Sequence, residues 1–344
     1  MQFDIIIGNP PYQQVTQGYG AQARPIYQHF VRQAKKLNPK YLSLIIPARW
    51  FSGGMGLGEF REEMLHDERV RVLHDYPNGK DCFPNVEIKG GVCYFLWDRD
   101  HHGKCKIHTH IDGEVSESER TLFSSILDTF IRYPEQLSIA EKVWALKTDS
   151  FVSLVSSVNP YGLATDFFKS PKKYDLPPVS LKRINDGLTI YGLESSKRVE
   201  RYVPADYPVP NGKELIGKWK VFVPEALGAS GTMGEEIPAK ILGDSFIGAP
   251  KTLCTFTYLS IGNFTSRKEA ENCLSYIKTK FFRFLVGIIK TTQHATQRVY
   301  QLVPLQDWSE SWSDEKLYKK YHLTAAEIGF VERMVKPIII NEKK

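Results

Sequence analysis

Cysteine is scarce in this 344-residue chain, and what there is does not pair. Cys82, Cys93, Cys105, Cys254 and Cys273 are odd in number and scattered, which argues against a disulfide framework and predicts reduced thiols. No apolar run reaches the ~20 residues that a membrane helix needs, and no leader is visible, since Met1 runs straight into a strand-like segment. These absences predict a cytoplasmic chain with no membrane partner. Charge of one sign is also modest. Forty-five Lys and Arg against 39 Asp and Glu give a formal charge of +6, which favours an anionic partner without requiring one. The densest group of metal-ligand types is His101, His102, Cys105, His108 and His110. Lys104 and Lys106 lie among them, and Cys105 to His110 alternates like an exposed strand, so the spacing predicts a solvated hairpin. What remains, 42% hydrophobic and 24% charged, has room for two domains, each with its own core.

The most informative stretch is Phe3 to Tyr12. Phe3 to Ile7 is an almost wholly apolar run that suits a strand buried on both faces of a parallel sheet, and it stops at Gly8 and two prolines. The loop that follows lies at the carboxyl end of a strand, where open α/β sheets place their ligands. Pro10 and Pro11 fix φ and remove two donors, so the loop offers carbonyl oxygens. Asn9 adds a side-chain acceptor and Tyr12 a flat ring. Such a clamp fits an aromatic amine: Asn9 Oδ1 and the Pro10 carbonyl accept its two hydrogens while its ring stacks on Tyr12. Two acceptors localise a lone pair that is otherwise delocalised into the ring and aim it along an in-line path. A Pro-rich turn with Tyr12 merely packed is the structural alternative.

Further along, Gln13 to Arg24 is polar and aperiodic, a loop. Pro25 predicts the first turn of a helix over 26–37 with Ile26, Phe30, Ala34 and Leu37 on its buried face. Strands are expected over 41–47 and 70–76, a short helix over 59–66, and a hairpin over 87–97. The glycines at 53, 54, 56 and 58 do not have the G-x-G-x-x-G spacing of a dinucleotide turn. Asp81, Glu87 and Lys89 could serve a nuclease only if they converged on Mg²⁺. Lys104 to Val115 reads as a further hairpin, Ser118 to Arg132 as an amphipathic helix, and Ser138 to Leu146 as another helix. From about residue 150 proline, glycine and tyrosine become dense and short β-like runs appear, such as Lys218 to Val223. Basic residues there, Lys172, Lys173, Arg183, Lys197, Arg198 and Arg201, alternate with tyrosines in a way that suits phosphates. Lys290, Gln293, His294, Gln297 and Arg298 follow an apolar helix expected over 270–289 and are of the right types for base edges and phosphates. An exposed linker is the alternative. Thr324 is the expected N-cap of a C-terminal helix.

Asn9-Pro10-Pro11-Tyr12 after an apolar strand resembles the catalytic signature of the N6-adenine DNA methyltransferases. The Cys-Phe-Pro turn and the Ile-Lys-Gly-Gly-Val strand that follow are similar to those of the type II and IIG restriction-modification enzymes. The resemblance implies an α/β fold, a partial Rossmann-like methyltransferase sheet followed by a mixed α+β target-recognition domain. It divides the chain into a catalytic-loop half (1–118), a helical connector (119–149), a DNA-binding target-recognition domain (150–305) and a C-terminal helical segment (306–344). It implies S-adenosylmethionine as cofactor, double-stranded DNA as partner, a flipped adenine held by Asn9 and Pro10, a loop stiffened by Pro11, and stacking on Tyr12. Phe83 is a candidate second stacking wall. In that family a cofactor-binding half, with a glycine turn and a ribose-binding carboxylate, precedes the signature. Only eight residues precede Asn9 here, so the expectation is a split or truncated enzyme completed by a partner chain. An inactive DNA-binding remnant or specificity component is the alternative from another class, and an amide or RNA adenine substrate a third.

Overall fold

The structure, a computed structural model, describes residues 3–14, 23–195, 197–227 and 231–338. The chain divides into two compact units, Met1–Trp144 with Thr232–Ala239, and Ala145–Gly231 with Lys240–Lys344. Most of the expected loop over 13–24 lies outside the described residues.

In the first unit β1 (Ile5–Gly8), α1 (Tyr27–Lys36) and β2 (Tyr41–Pro47) form a parallel crossover, with Ile5 opposite Tyr41 and Gly8 opposite Leu44. After α2 (Gly58–Leu65) come β3 (Val70–Tyr76), β4 (Val92–Asp98) and the hairpin β5 (Cys105–Ile111) and β6 (Glu114–Arg120), then α3 (Pro134–Ala145). The strands form one six-stranded sheet in the order β1-β2-β4-β3-β5-β6. β1, β2, β3 and β5 run parallel, and β4 enters antiparallel between β2 and β3. Pro47 and Tyr76 both pair with Val92. The carboxyl ends of β2 and β3 and the start of β4 therefore meet at the edge where β1 also ends.

One face of this sheet is sealed. Leu42, Leu44, Ile46, Leu73, Phe95 and Trp97 pack with Tyr27 and Val31 of α1 and with Phe60 and Met64 of α2. Burying that many large apolar side chains, each worth about 1.5–3 kcal/mol, fixes the register, because a one-residue slip would turn the whole set outward.

Four expectations are corrected here. β1 is an edge strand, not one buried on both faces: Ile5 is 58% and Ile7 78% exposed, because nothing among the described residues pairs on its outer side. Helix α1 buries Tyr27, Val31 and Ala34, leaving Phe30 and Leu37 exposed. It starts two residues beyond Pro25, with Ile26 in the cap position. The segment 118–132 holds no helix. Its first residues extend β6 opposite β5, and alternation of polar with half-buried positions there has the period of a strand. The hairpin expected over 87–97 forms only as β4, preceded by a loop that turns on Gly90 and Gly91 at positive φ.

The second unit has two three-stranded sheets. One is β10 (Phe246–Gly248), β9 (Trp219–Pro224) and β12 (Tyr258–Phe264); the other is β11 (Thr252–Cys254), β7 (Leu188–Glu194) and β8 (Lys197–Val203). Ile190, Phe222, Leu253 and Tyr258 lie in their shared core. The apolar helix expected over 270–289 is two helices, α5 (Arg267–Lys278) and α6 (Lys280–Ile289). Thr279 sits at the break with ψ 151, and its hydroxyl accepts from Phe282 N. Buried Arg283 donates through its side chain to the carbonyls of Lys278 and Thr279 at this break. A C-terminal helix (Ala325–Met334) is capped by Thr324 with a full capping box to Glu327.

Candidate active site

Among the described residues the Asn9 loop is tied down at its Tyr12 end. Tyr12 O accepts from Ile26 N at 3.1 Å, and Gln14 N donates to Arg24 O at 2.9 Å, tying the end of the loop to the entry of α1. Within it Pro10 is buried, Asn9 and Pro11 are exposed, and Tyr12 is half-buried. Rigidity comes from the two prolines and these backbone bonds, and the Asn9 side chain is exposed at the end of β1, beside the Tyr12 hydroxyl.

Tyr12 lines an open cleft of about 510 Å³, within the size range of small-molecule sites. Three connections at the same sheet edge build it: Tyr12, Gln13, Pro25 and Tyr27 between β1 and the start of α1, Pro47, Arg49 and Met55 at the end of β2 and after it, and Val86 to Lys89 before β4. Gly91 holds the last of these in place. Its φ is +87°, and a Cβ there would lie 2.2 Å from Tyr76 O and 2.8 Å from Pro77 O, so no side chain fits where β3 and β4 converge. The glycine-rich loop after β2 is fastened by Arg61, whose Nη1 donates to Ser52 O at 3.1 Å.

The cleft is a poor place for a negative phenolate. Burial pushes the Tyr12 hydroxyl up to about 12, the thiols of Cys82 and Cys93 add to this, and the Asn9 side chain works against it. Burial raises Tyr27 still further, reinforced by Cys93 and opposed by Arg49 and the Trp50 backbone. Both hydroxyls are buried without a partner in hydrogen-bond geometry. At neutral pH the two tyrosines are rings with polar tips, not bases. Behind the cleft, Asp75 is fully buried with its carboxylate 3.1 Å from Arg132 Nη1; burial outweighs that cation and lifts its pKa to about 6.

Residues 1–83 match the model of the Eco57I restriction-modification methylase family. The matched residues carry β1 to β3 and the whole Asn9–Tyr12 loop. The chain is also similar to an uncharacterized adenine-specific methylase of Mycoplasma pneumoniae, 38% identical over 153 residues that cover 42% of this chain and 35% of that protein. It thus spans about a third of the length of the curated relative it matches. Among solved structures it is similar to the type IIG restriction endonuclease BpuSI, at 12% identity and TM-score 0.33 over 89% of this chain and 45% of that one. It is likewise similar to the type IIL restriction-modification enzyme MmeI in complex with DNA, at 10% identity and TM-score 0.42 over 80% and 43%.

The other residues of the methylase reading fall unevenly. Phe83 is half-buried and is not among the described lining residues; Val86 to Lys89 of its own loop are. In the second unit Lys172, Arg183 and Lys197 are exposed. Lys173 is exposed but paired with Asp166 at 2.9 Å. Arg198 lies over the Phe246 ring at 4.2 Å, and Arg201 is half-buried and paired with Glu194. Lys290 corrects the expectation made for it. It is 2% exposed and donates to Gly231 O at 2.5 Å, so it offers no charge to a nucleic acid. His294 holds Glu225 at 2.9 Å, and Gln297 donates to Val155 O at 2.8 Å. Gln293 is half-buried and Arg298 exposed. Arg49, Tyr27 and Met55 were not foreseen in the cleft. The one signal for Arg49 was its place between a strand end and a glycine-rich loop.

Proposed function

We propose that this chain is the catalytic-loop and target-recognition part of a site-specific DNA adenine-N6 methyltransferase of a restriction-modification system. One observation carries the reading. An exposed asparagine and a proline-stiffened carbonyl stand at the end of β1, beside a tyrosine ring in an open cleft. Asn9 Oδ1 and the Pro10 carbonyl accept the two hydrogens of N6 while the flipped adenine stacks on Tyr12, and Pro11 keeps the loop from yielding. Neither tyrosine takes the proton, since both are raised above their ordinary range. S-adenosylmethionine, when bound, supplies the methyl group.

The described residues do not make a cradle for that cofactor. β1 is followed by prolines, which have no N–H to offer, where a glycine turn would present several. We propose that a partner chain holds the cofactor and adds a parallel strand to the free edge of β1. Exposed Phe3, Ile5 and Ile7, with Phe30 of α1 and Leu37 just after it, support this, since parallel sheets are rarely left with apolar edges in water. The second unit, through exposed Lys172, Arg183, Lys197 and Arg298, engages duplex DNA, and the whole works in the cytoplasm.

The test is methyl transfer from labelled S-adenosylmethionine into DNA by the full chain mixed with a cofactor-binding partner. Transfer to adenine N6 that Asn9→Ala abolishes is the expected result. DNA binding with no transfer in any mixture would favour a non-catalytic, specificity-giving role and overturn the catalytic one.

A further inference from the structure

The cleft beside Tyr12 carries two cations that the adenine clamp does not use. Arg49 stands on the short helix after β2 and Lys89 on the loop before β4, and both line the cleft with one carboxylate, Glu87. Elsewhere in this unit arginines are engaged: Arg32, Arg61, Arg69, Arg71 and Arg132 each hold a carboxylate. Among the described residues neither Arg49 nor Lys89 does. The Arg49 guanidinium reaches only the thioether of Met55, a weak acceptor, and Lys89 is exposed.

The rings of Tyr12 and Tyr27, the latter 1% exposed, line the same cleft. Two cations against one carboxylate leave the rim of the cleft with excess positive charge. A flipped base has the Tyr12 ring to stack on, and its nucleotide has a phosphodiester for the rim. A planar guanidinium grips two phosphate oxygens at once, and an ammonium on a flexible stem finds a third.

We propose that Arg49 and Lys89 form a phosphate clamp that holds the backbone of the target nucleotide while its base lies on Tyr12. The clamp rests on the reading of the cleft as a base pocket. It differs from the basic residues of the second unit in acting at the flipped nucleotide itself, so it stabilises the extruded state rather than the undistorted duplex.

The experiment uses the full chain and a duplex carrying 2-aminopurine at a mismatch, where extrusion costs least. Binding is followed over a series of salt concentrations, and 2-aminopurine fluorescence reports extrusion. Each phosphate contact contributes about 0.9 to the slope of log K against log salt. Arg49→Gln and Lys89→Gln should each lower the slope by about 0.9, the double variant by about 1.8, and each should reduce the 2-aminopurine signal at saturation. Arg49→Lys should restore the slope. Circular dichroism checks that the variants fold. A slope and signal unchanged in both glutamine variants, while Tyr12→Ala still quenches extrusion, would overturn the clamp and spare the base pocket. No 2-aminopurine response in the wild type, or one indifferent to Tyr12→Ala, would overturn the pocket itself.

Discussion

Tyr12 separates stacking from acid–base chemistry, because the structure assigns its ring and its hydroxyl opposite fates. The ring lines the cleft, so replacing it by alanine removes a stacking surface worth about 1–3 kcal/mol per base, which is about a 5- to 150-fold loss in binding of an extruded base. The hydroxyl is buried, unpartnered and raised to about 12. Removing an unpaired polar group costs little and can be favourable, so Tyr12→Phe should bind and methylate within about twofold of wild type, since no interaction in the reaction depends on that oxygen. A wild-type pH–rate profile should show no limb assignable to a tyrosine below pH 10. Radiometric methyl transfer with the partner present, together with 2-aminopurine fluorescence of the chain on DNA, measures both variants. A Tyr12→Phe loss as large as that of Tyr12→Ala would refute the reasoning, for the oxygen would then be acting in the reaction.

Other consequences concern the frame behind the loop. Arg132→Met strands the buried Asp75 carboxylate and should cost about 3–5 kcal/mol at pH 8. Because the folded pKa of Asp75, about 6, lies above its ordinary value, the native state already holds that proton below about pH 6; the penalty should shrink at pH 5, and an equal loss at both pH values by denaturant titration would contradict the pairing. His74 is lowered to about 4, chiefly by burial, then by the neighbouring His108 and His110, with Glu117 opposing. Between the unfolded value near 6.5 and the folded value, the unfolded state binds more protons, so stability is lost as pH falls through that window; after discounting for its partial exposure this is about 1 kcal/mol, and His74→Phe should flatten that part of the stability curve. Gly91→Ala meets backbone oxygen on two sides at a φ that alanine avoids, and should cost more than about 3 kcal/mol, read as a fall in Tm of the first unit.

Much of the sheet was legible because its strands are closed off by residues with unambiguous local physics. β2 and β3 run to the limits the sequence predicts, where Pro47 ends one and Pro77 follows the other. Thr324 is a cap in both readings because a hydroxyl three residues before a glutamate has one obvious local use. What failed needed partners distant in the chain. Lys290 looks like a surface cation in sequence, and only the fold brings Gly231 O to it. The break at Thr279 depends on Arg283 folding back onto two carbonyls, a contact that apolar periodicity cannot register. The basic residues of β8 read as phosphate ligands until Glu194 and Phe246 are seen beside Arg201 and Arg198.

The misplaced burial of β1 is the most instructive failure. An apolar run predicts a strand with neighbours on both sides, and the run itself is sound: Ile5, Ile6 and Ile7 are what a central parallel strand needs. The described residues supply one neighbour, β2. Either the hydrophobic signal is wrong about this strand or its second neighbour lies elsewhere, and the same question governs the chemistry, because the two prolines of the loop that β1 carries offer carbonyl acceptors and no N–H. A strand docked on that edge would bury Ile5 and Ile7 and bring a second set of loops to the cleft at one stroke. Ile7→Lys tests this directly. The change should leave the folded chain intact, since Ile7 is 78% exposed, yet abolish methyl transfer restored by the partner while leaving DNA binding by the chain alone unchanged. Transfer at the wild-type rate would show that nothing docks there.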